Sequence, residues 1–345
     1  MIYFVYVFFL IAMLAIERES AKFRPIVRII IPIVYTLLIG LRDTSIGNDT
    51  ETYYEHYYYY GQFGCDFIEP GFDWLNRIMF SMGYNANHFF IVNAAITMFF
   101  IYMALNRLKE KNYTYTAFCM YLLTFTFLVN GMRQGVACGI LIFAHRFIEE
   151  RRIIPYILTI LLAAQFHASA LILLPLYFLG NRHLTAKLYV GIFIFSFIGV
   201  FVDISSYVPS LELLGRDYGT HVENMNISDA SSLGFIVSTA LNILVLTLAL
   251  NNQIHKHFPL LFNLVFISYV LKNLGFSIPI VGRLTVYFTW FVYFLYPIIL
   301  CKQSKPLFNN IGETKIAIIG IMAAIWLNTL FSATNMLMPY KFYWE

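Results

Sequence analysis

Long apolar blocks broken only by short charged stretches leave this chain few folds to choose from. Hydrophobic residues make up 59% of its 345 positions and charged residues 12%, against roughly half and a quarter in soluble domains. Inside a bilayer the backbone must close its own hydrogen bonds, which helices do within one segment. The chain therefore reads as an all-α polytopic membrane protein, a single integral membrane domain over 1–345. Its first block, MIYFVYVFFLIAMLAI, has no basic residue before it, while Arg18, Lys22, Arg24 and Arg28 follow. That order fits an anchor with its start outside rather than a cleaved signal peptide. Cys65, Cys119, Cys138 and Cys301 are scattered, mostly within apolar runs, so they mark neither a disulfide framework nor a metal spacing.

Apolar spans fall near 1–16, 26–41, 88–105, 113–130, 135–148, 153–165, 168–180, 188–203, 233–250, 259–274, 284–300 and 315–331. They predict about twelve transmembrane helices, several of them short for a core about 30 Å thick. Placing 17–25, 106–112, 149–152, 181–187, 251–258 and 301–315 in the cytoplasm puts most Lys and Arg there, as the positive-inside rule requires. Both termini then lie outside, and Arg42, Arg77, Arg133, Arg216, Lys272, Arg283 and Lys341 are the outer cations. Most acids and most irregular polar sequence also fall outside, in long loops at 42–87 and 204–232. Function is expected on that face.

Two helix pairs are too short to cross and return. Between Lys111 and Glu149 there are fewer residues than the roughly 40 that two full spans need. The turn carrying Arg133 and Gln134 must therefore be recessed, with Gly131, Gly135 and Gly139 leaving room for close helix approach. The pair 153–180 is shorter still, and its tip QFHAS reaches only about 20 Å from the inner side. Two recessed hairpins delivering Arg133 and His167 to a common depth imply a polar cavity open outward, because a buried guanidinium without a polar task is costly.

The stretches GLRDTSIGNDTETYY, EPGFDWLN, NGMRQGVACGILIFAHRFIEERR, FHASALILLPLYFL, GRLTVYF and MPYKFYWE, taken in order, resemble the EpsG/Wzy-type polysaccharide polymerase family. The RDxxxGxD, RQG and FHxSAL elements are the most specific. The resemblance implies a GT-C-like membrane glycosyltransferase architecture in the bacterial inner membrane. It also implies the activity of joining undecaprenyl-diphosphate-linked oligosaccharide repeat units at the periplasmic face, with release of undecaprenyl diphosphate, as in O-antigen or exopolysaccharide synthesis. Membrane lipids and a chain-length regulator are the further partners; no nucleic acid is expected.

In that reaction a departing lipid diphosphate needs fixed cations, and arginine's planar fork suits phosphate oxygens. Arg133, Arg283 and Arg42 are the candidates, with Gln134 beside the first and Tyr287 one turn beyond the second. A base for the attacking hydroxyl comes from His167, histidine being the most frequent general base, or from Asp49, Glu69 or Asp73 in the outer loop; the sequence leaves the choice open. Asp49, Tyr53, Tyr57 and Tyr60 share helical spacing, predicting a helix from Asp49 or Thr50. Its tyrosine stripe either sits at the headgroup level or stacks sugar rings, with Tyr53, Tyr57, Asp73 and Tyr287 as the sugar-binding set. No Asp-x-Asp pair or His/Glu cluster appears, so transfer without metal or cofactor is expected. A lipid-linked glycan ligase, a transporter and a membrane acyltransferase are the alternative readings. No internal repeat of the kind many transporters carry is visible.

Overall fold

Helical backbone with apolar sides is what these blocks dictate; the computed structural model describes residues 2–108, 110–179, 182–201, 232–276, 279–302, 311–331 and 336–345, and most of them are helical. Most of the outer loop expected at 204–232, Arg216 included, lies outside these residues. Among the described residues there are helices and no strands, apart from an isolated bridge between Arg42 and Phe342. Among the described residues three stretches are long and apolar enough to cross a membrane, Ala86–Leu105, Gly234–Asn251 and Val281–Leu300. The other expected spans are occupied by helices that are shorter, broken or more charged.

Contacts divide the chain into two compact units, Met1–Leu179 with Trp326–Glu345, and Gly180–Ile325. The first unit opens with α1 (Ile2–Glu19) and α2 (Arg24–Gly40), followed by α3 (Thr50–Phe63) and α4 (Pro70–Ser81) within the 42–87 segment. Next come α5 (Ala86–Leu105), α6 (Glu110–Leu123), α7 (Phe125–Asn130), α8 (Met132–Glu149) and α9 (Ile153–Ala164). A 3-10 helix, Ala168–Leu173, and the short α10 (Leu176–Leu179) follow. Helix α5 packs on both α2 and α8. At the α8 crossing a Cβ on Gly139 would stand 3.0 Å from the Thr97 carbonyl oxygen, so the backbones touch where the glycine lies.

The expected span 113–130 is broken at Thr124. The Thr124 hydroxyl donates back to Met120 O at 2.7 Å and meets Tyr35 Oη at 2.8 Å, an arrangement that bends helices. The span 168–180 is not one α-helix either. A 3-10 turn rises about 2 Å per residue against 1.5 Å in an α-helix, which extends the reach of a segment this short. The ends of α1, α2 and α6 are tied through the buried Glu17, whose Oε1 accepts from Arg28 Nη2 at 2.6 Å and whose Oε2 accepts from Thr114 at 2.7 Å.

The second unit holds α11 (Ala186–Ser196), α12 (Ile198–Phe201), α13 (Ser232–Asn251), α14 (Ile254–His257), α15 (Pro259–Leu274) and α16 (Pro279–Lys302). Helices α15 and α16 form its most extensive pairing. The division between the units falls within α17 (Ile311–Phe331).

Candidate functional site

Proline at the first position of α4 sets the geometry of the site. It holds the preceding residue away from helical backbone, and Glu69 accordingly sits at φ −59°, ψ 134° with no side-chain cap to its own helix. Its carboxylate instead reaches across the chain. Oε2 accepts from Arg133 Nη1 at 2.8 Å, and Oε1 accepts from the Ala168 backbone N–H at 3.2 Å. His167 Nδ1 lies 3.5 Å from the same Oε1. One carboxylate from the residue preceding α4 thus joins the start of α8 to the tip of the α9 hairpin.

Backbone contact fixes that tip. The Phe72 N–H, one of the first-turn donors that a helix leaves unsatisfied, donates to the Gln165 carbonyl at 3.1 Å. A Cβ on Gly71 would lie 2.7 Å from Gln165 Cβ and 2.9 Å from its carbonyl oxygen. Only glycine permits this approach. Beneath it, Tyr57, Phe72, Met79, Ala86, Phe89, Phe90 and Met132 form a hydrophobic core, with the Arg133 guanidinium 5.8 Å from the Phe72 ring centre.

The cluster is layered. The Glu69 side chain is 3% exposed, while Arg133 and His167 are each 24% exposed above it. Burial alone would push the Glu69 carboxyl up, but the His167 contact, the Arg133 charge and backbone N–H groups outweigh it and bring its pKa down to about 2. Tyr53, half-buried on α3, lies within electrostatic range of the Arg133 guanidinium. Among the described residues no group of three or more His, Cys, Asp or Glu gathers as a metal site requires.

Residues 25–342 match the EpsG family. The chain belongs to that family. Its members are Wzy-type polysaccharide polymerases. No curated protein and no solved structure matches this EpsG-family chain.

Other sequence candidates in this EpsG-family protein fall elsewhere. Arg42, expected at the diphosphate, is fully buried. It donates to Thr50 Oγ1 at 3.0 Å, to Val129 O at 2.9 Å and to Ile39 O, with its guanidinium 4.8 Å from the Phe90 ring. Charge alone suggested a ligand, whereas two backbone carbonyls claim the fork. The surrounding RDxxxGxD motif is a braced turn. Asp43 accepts from the Ser45 N–H at 3.0 Å, and Gly47 takes φ +88°, beside Val129 and Asn130. Tyr57, expected to stack sugars, is core, its hydroxyl donating to Tyr84 O at 2.7 Å.

Asp49 is exposed at the start of α3, and Asp73 lies 3.9 Å from Arg77 within α4. Gln134 is half-buried next to Arg133 in sequence. Arg283 and Tyr287 belong to the second unit, the arginine exposed in the first turns of α16 and the tyrosine buried one turn on. Sequence reasoning passed over His56, although its spacing from Tyr53 and Tyr60 is also helical. Both His56 and Tyr60 are half-buried within electrostatic range of Arg133.

Proposed function

We propose that this EpsG-family protein is a lipid-linked oligosaccharide polymerase of the bacterial inner membrane, acting at the periplasmic face on undecaprenyl-diphosphate-linked repeat units. One observation carries the reading: a single buried carboxylate, Glu69, holds Arg133 and His167 together at the mouth of two short hairpins. Recess is supported by length, since the 12 residues of α9 rise only about 18 Å against a hydrocarbon core of about 30 Å.

In the proposed step a sugar hydroxyl oxygen attacks the anomeric carbon of the donor. The bond from that carbon to the diphosphate oxygen breaks, and its electron pair leaves with undecaprenyl diphosphate. His167 receives the hydroxyl proton. Glu69 is a poor base for it, because a carboxyl with pKa about 2 has little drive to take a proton at working pH. It acts as a positioning residue, holding Nδ1 so that Nε2 accepts. Arg133 reaches Glu69 through Nη1, and its remaining N–H groups serve the phosphate oxygens. With carboxylate and guanidinium cancelling, proton transfer to His167 turns a neutral cluster positive as charge grows on the leaving group. A preorganised site is most effective when its field rises with the transition state in this way.

The test is reconstitution of the purified protein with a defined lipid-linked repeat unit. Ladder formation with release of lipid diphosphate, abolished in Arg133→Ala and His167→Ala, is the expected outcome. A single transfer to a different acceptor would make it a ligase, and full activity in both variants would remove the assignment.

A further inference from the structure

Helix α3 shows three kinds of aromatic surface. Tyr57 faces the core, and Tyr58 and Tyr59 are exposed at 38% and 60%. A third group, Tyr53, His56 and Tyr60, at helical spacings of three and four, is half-buried and within electrostatic range of Arg133. Within it the His56 and Tyr60 rings lie 4.7 Å apart at an interplanar angle of 31°. Tyr53 packs on Phe72, 6.3 Å away between ring centres, and the same Phe72 ring lies 5.8 Å from the Arg133 guanidinium. The rings are therefore fixed in place rather than hanging in solvent. A headgroup-level belt accounts for Tyr58 and Tyr59, but it does not account for a half-buried ring pair within electrostatic range of a guanidinium.

Chemistry says what lies next to a bound diphosphate. The donor's first sugar is bonded through its anomeric carbon to a phosphate oxygen, so its ring is fixed within a bond or two of whatever Arg133 holds. We propose that Tyr53, His56 and Tyr60 form the subsite for this first, diphosphate-linked sugar, with the apolar face of its ring stacked on the His56 and Tyr60 pair. This rests on the reading of Arg133 as the diphosphate ligand. It adds a specificity role: the ring pair holds the carbon under attack in line with His167 and favours sugars whose axial hydroxyls leave one face apolar.

Equilibrium binding of two probes to the full chain in lipid nanodiscs tests it. The probes are a polyprenyl diphosphate, and the same lipid diphosphate carrying one sugar. His56→Ala and Tyr60→Ala should each weaken the sugar-bearing probe roughly five- to tenfold, the scale of one aromatic contact, and leave the bare lipid diphosphate unchanged. His56→Phe and Tyr60→Phe keep a ring and should restore affinity, while Tyr59→Ala, on the exposed side, should match wild type. Equal losses for both probes, or no loss for either, would overturn the subsite. Retention of both probes by Arg133→Ala would instead overturn the diphosphate reading, while a loss confined to the sugar-bearing probe in the His56 and Tyr60 variants would still stand.

Discussion

Glu69 remains ionised although nearly enclosed because a guanidinium, an imidazole and a backbone N–H all converge on it, and removing one partner of such a pair leaves an uncompensated charge. Replacing it with glutamine keeps the shape and removes the charge that orients both neighbours. Glu69→Gln should lower kcat about a hundredfold, the usual result of misplacing catalytic groups by about an ångström, with a smaller change in KM. Its folded pKa lies below the ordinary carboxylate value, so its stabilising contribution is complete above that value and is lost as pH falls toward about 2. Thermal unfolding in detergent should show the wild type losing stability over that acid window, with Glu69→Gln flatter through it; parallel curves would contradict the pairing. Arg133→Lys should cost about a hundredfold in turnover, because one ammonium cannot serve both Glu69 and a phosphate with a fixed fork. Depth singled out Arg133 and His167, and residue type offered Glu69 as one of several carboxylates; that the three meet was not legible in the sequence. Arg42 and Tyr57 show the same limit: their partners, Val129 O and Tyr84 O, lie far away in sequence, and only those partners separate a ligand from a brace.

At the scale of elements, the site depends on α4 meeting the α9 hairpin at Gly71 and Gln165. A methyl group at Gly71 would stand 2.9 Å from a carbonyl oxygen, and backbone cannot yield as a side-chain tip can. Gly71→Ala should push the hairpin tip off the first turn of α4 and draw His167 away from Glu69. Turnover should drop about a hundredfold while the protein remains folded and still binds lipid diphosphate through Arg133. Unchanged turnover would show that the clasp does not position the imidazole. The start of α3 at Thr50 was readable from the spacing of Asp49 and the tyrosines, and the structure begins the helix there. Local pattern failed at 168–180, where apolar composition predicts a helix without saying which kind. The 3-10 form of Ala168–Leu173 is not written in the apolar pattern of ASALIL itself.

At the scale of the molecule, the last residues complete the first unit. The segment 336–345 runs beside the loop after α2: Asp43 N–H donates to Lys341 O at 3.0 Å, Tyr343 N–H to Leu41 O at 3.0 Å, and Gly47 N–H to Met336 O at 2.8 Å. Tyr340 reaches Leu38 O at 2.5 Å, and Tyr3 of α1 reaches Leu337 O at 2.7 Å. These bonds brace the turn that carries Arg42, and Arg42 in turn ties that turn to α7 through Val129, one helix before Arg133. Each buried donor or acceptor left without a partner costs about 1–3 kcal/mol, so removing 336–345 takes several such terms from a single loop. The truncated protein should insert and remain helical by circular dichroism, melt several degrees lower and lose ladder formation. Tyr340→Phe removes one hydroxyl and should cost only about 1 kcal/mol with activity largely kept. If the truncated chain polymerised at the wild-type rate with an unshifted midpoint, the loop would have to hold its shape without the clasp. The inward hydrogen bonds of Arg42 would then be its sufficient support.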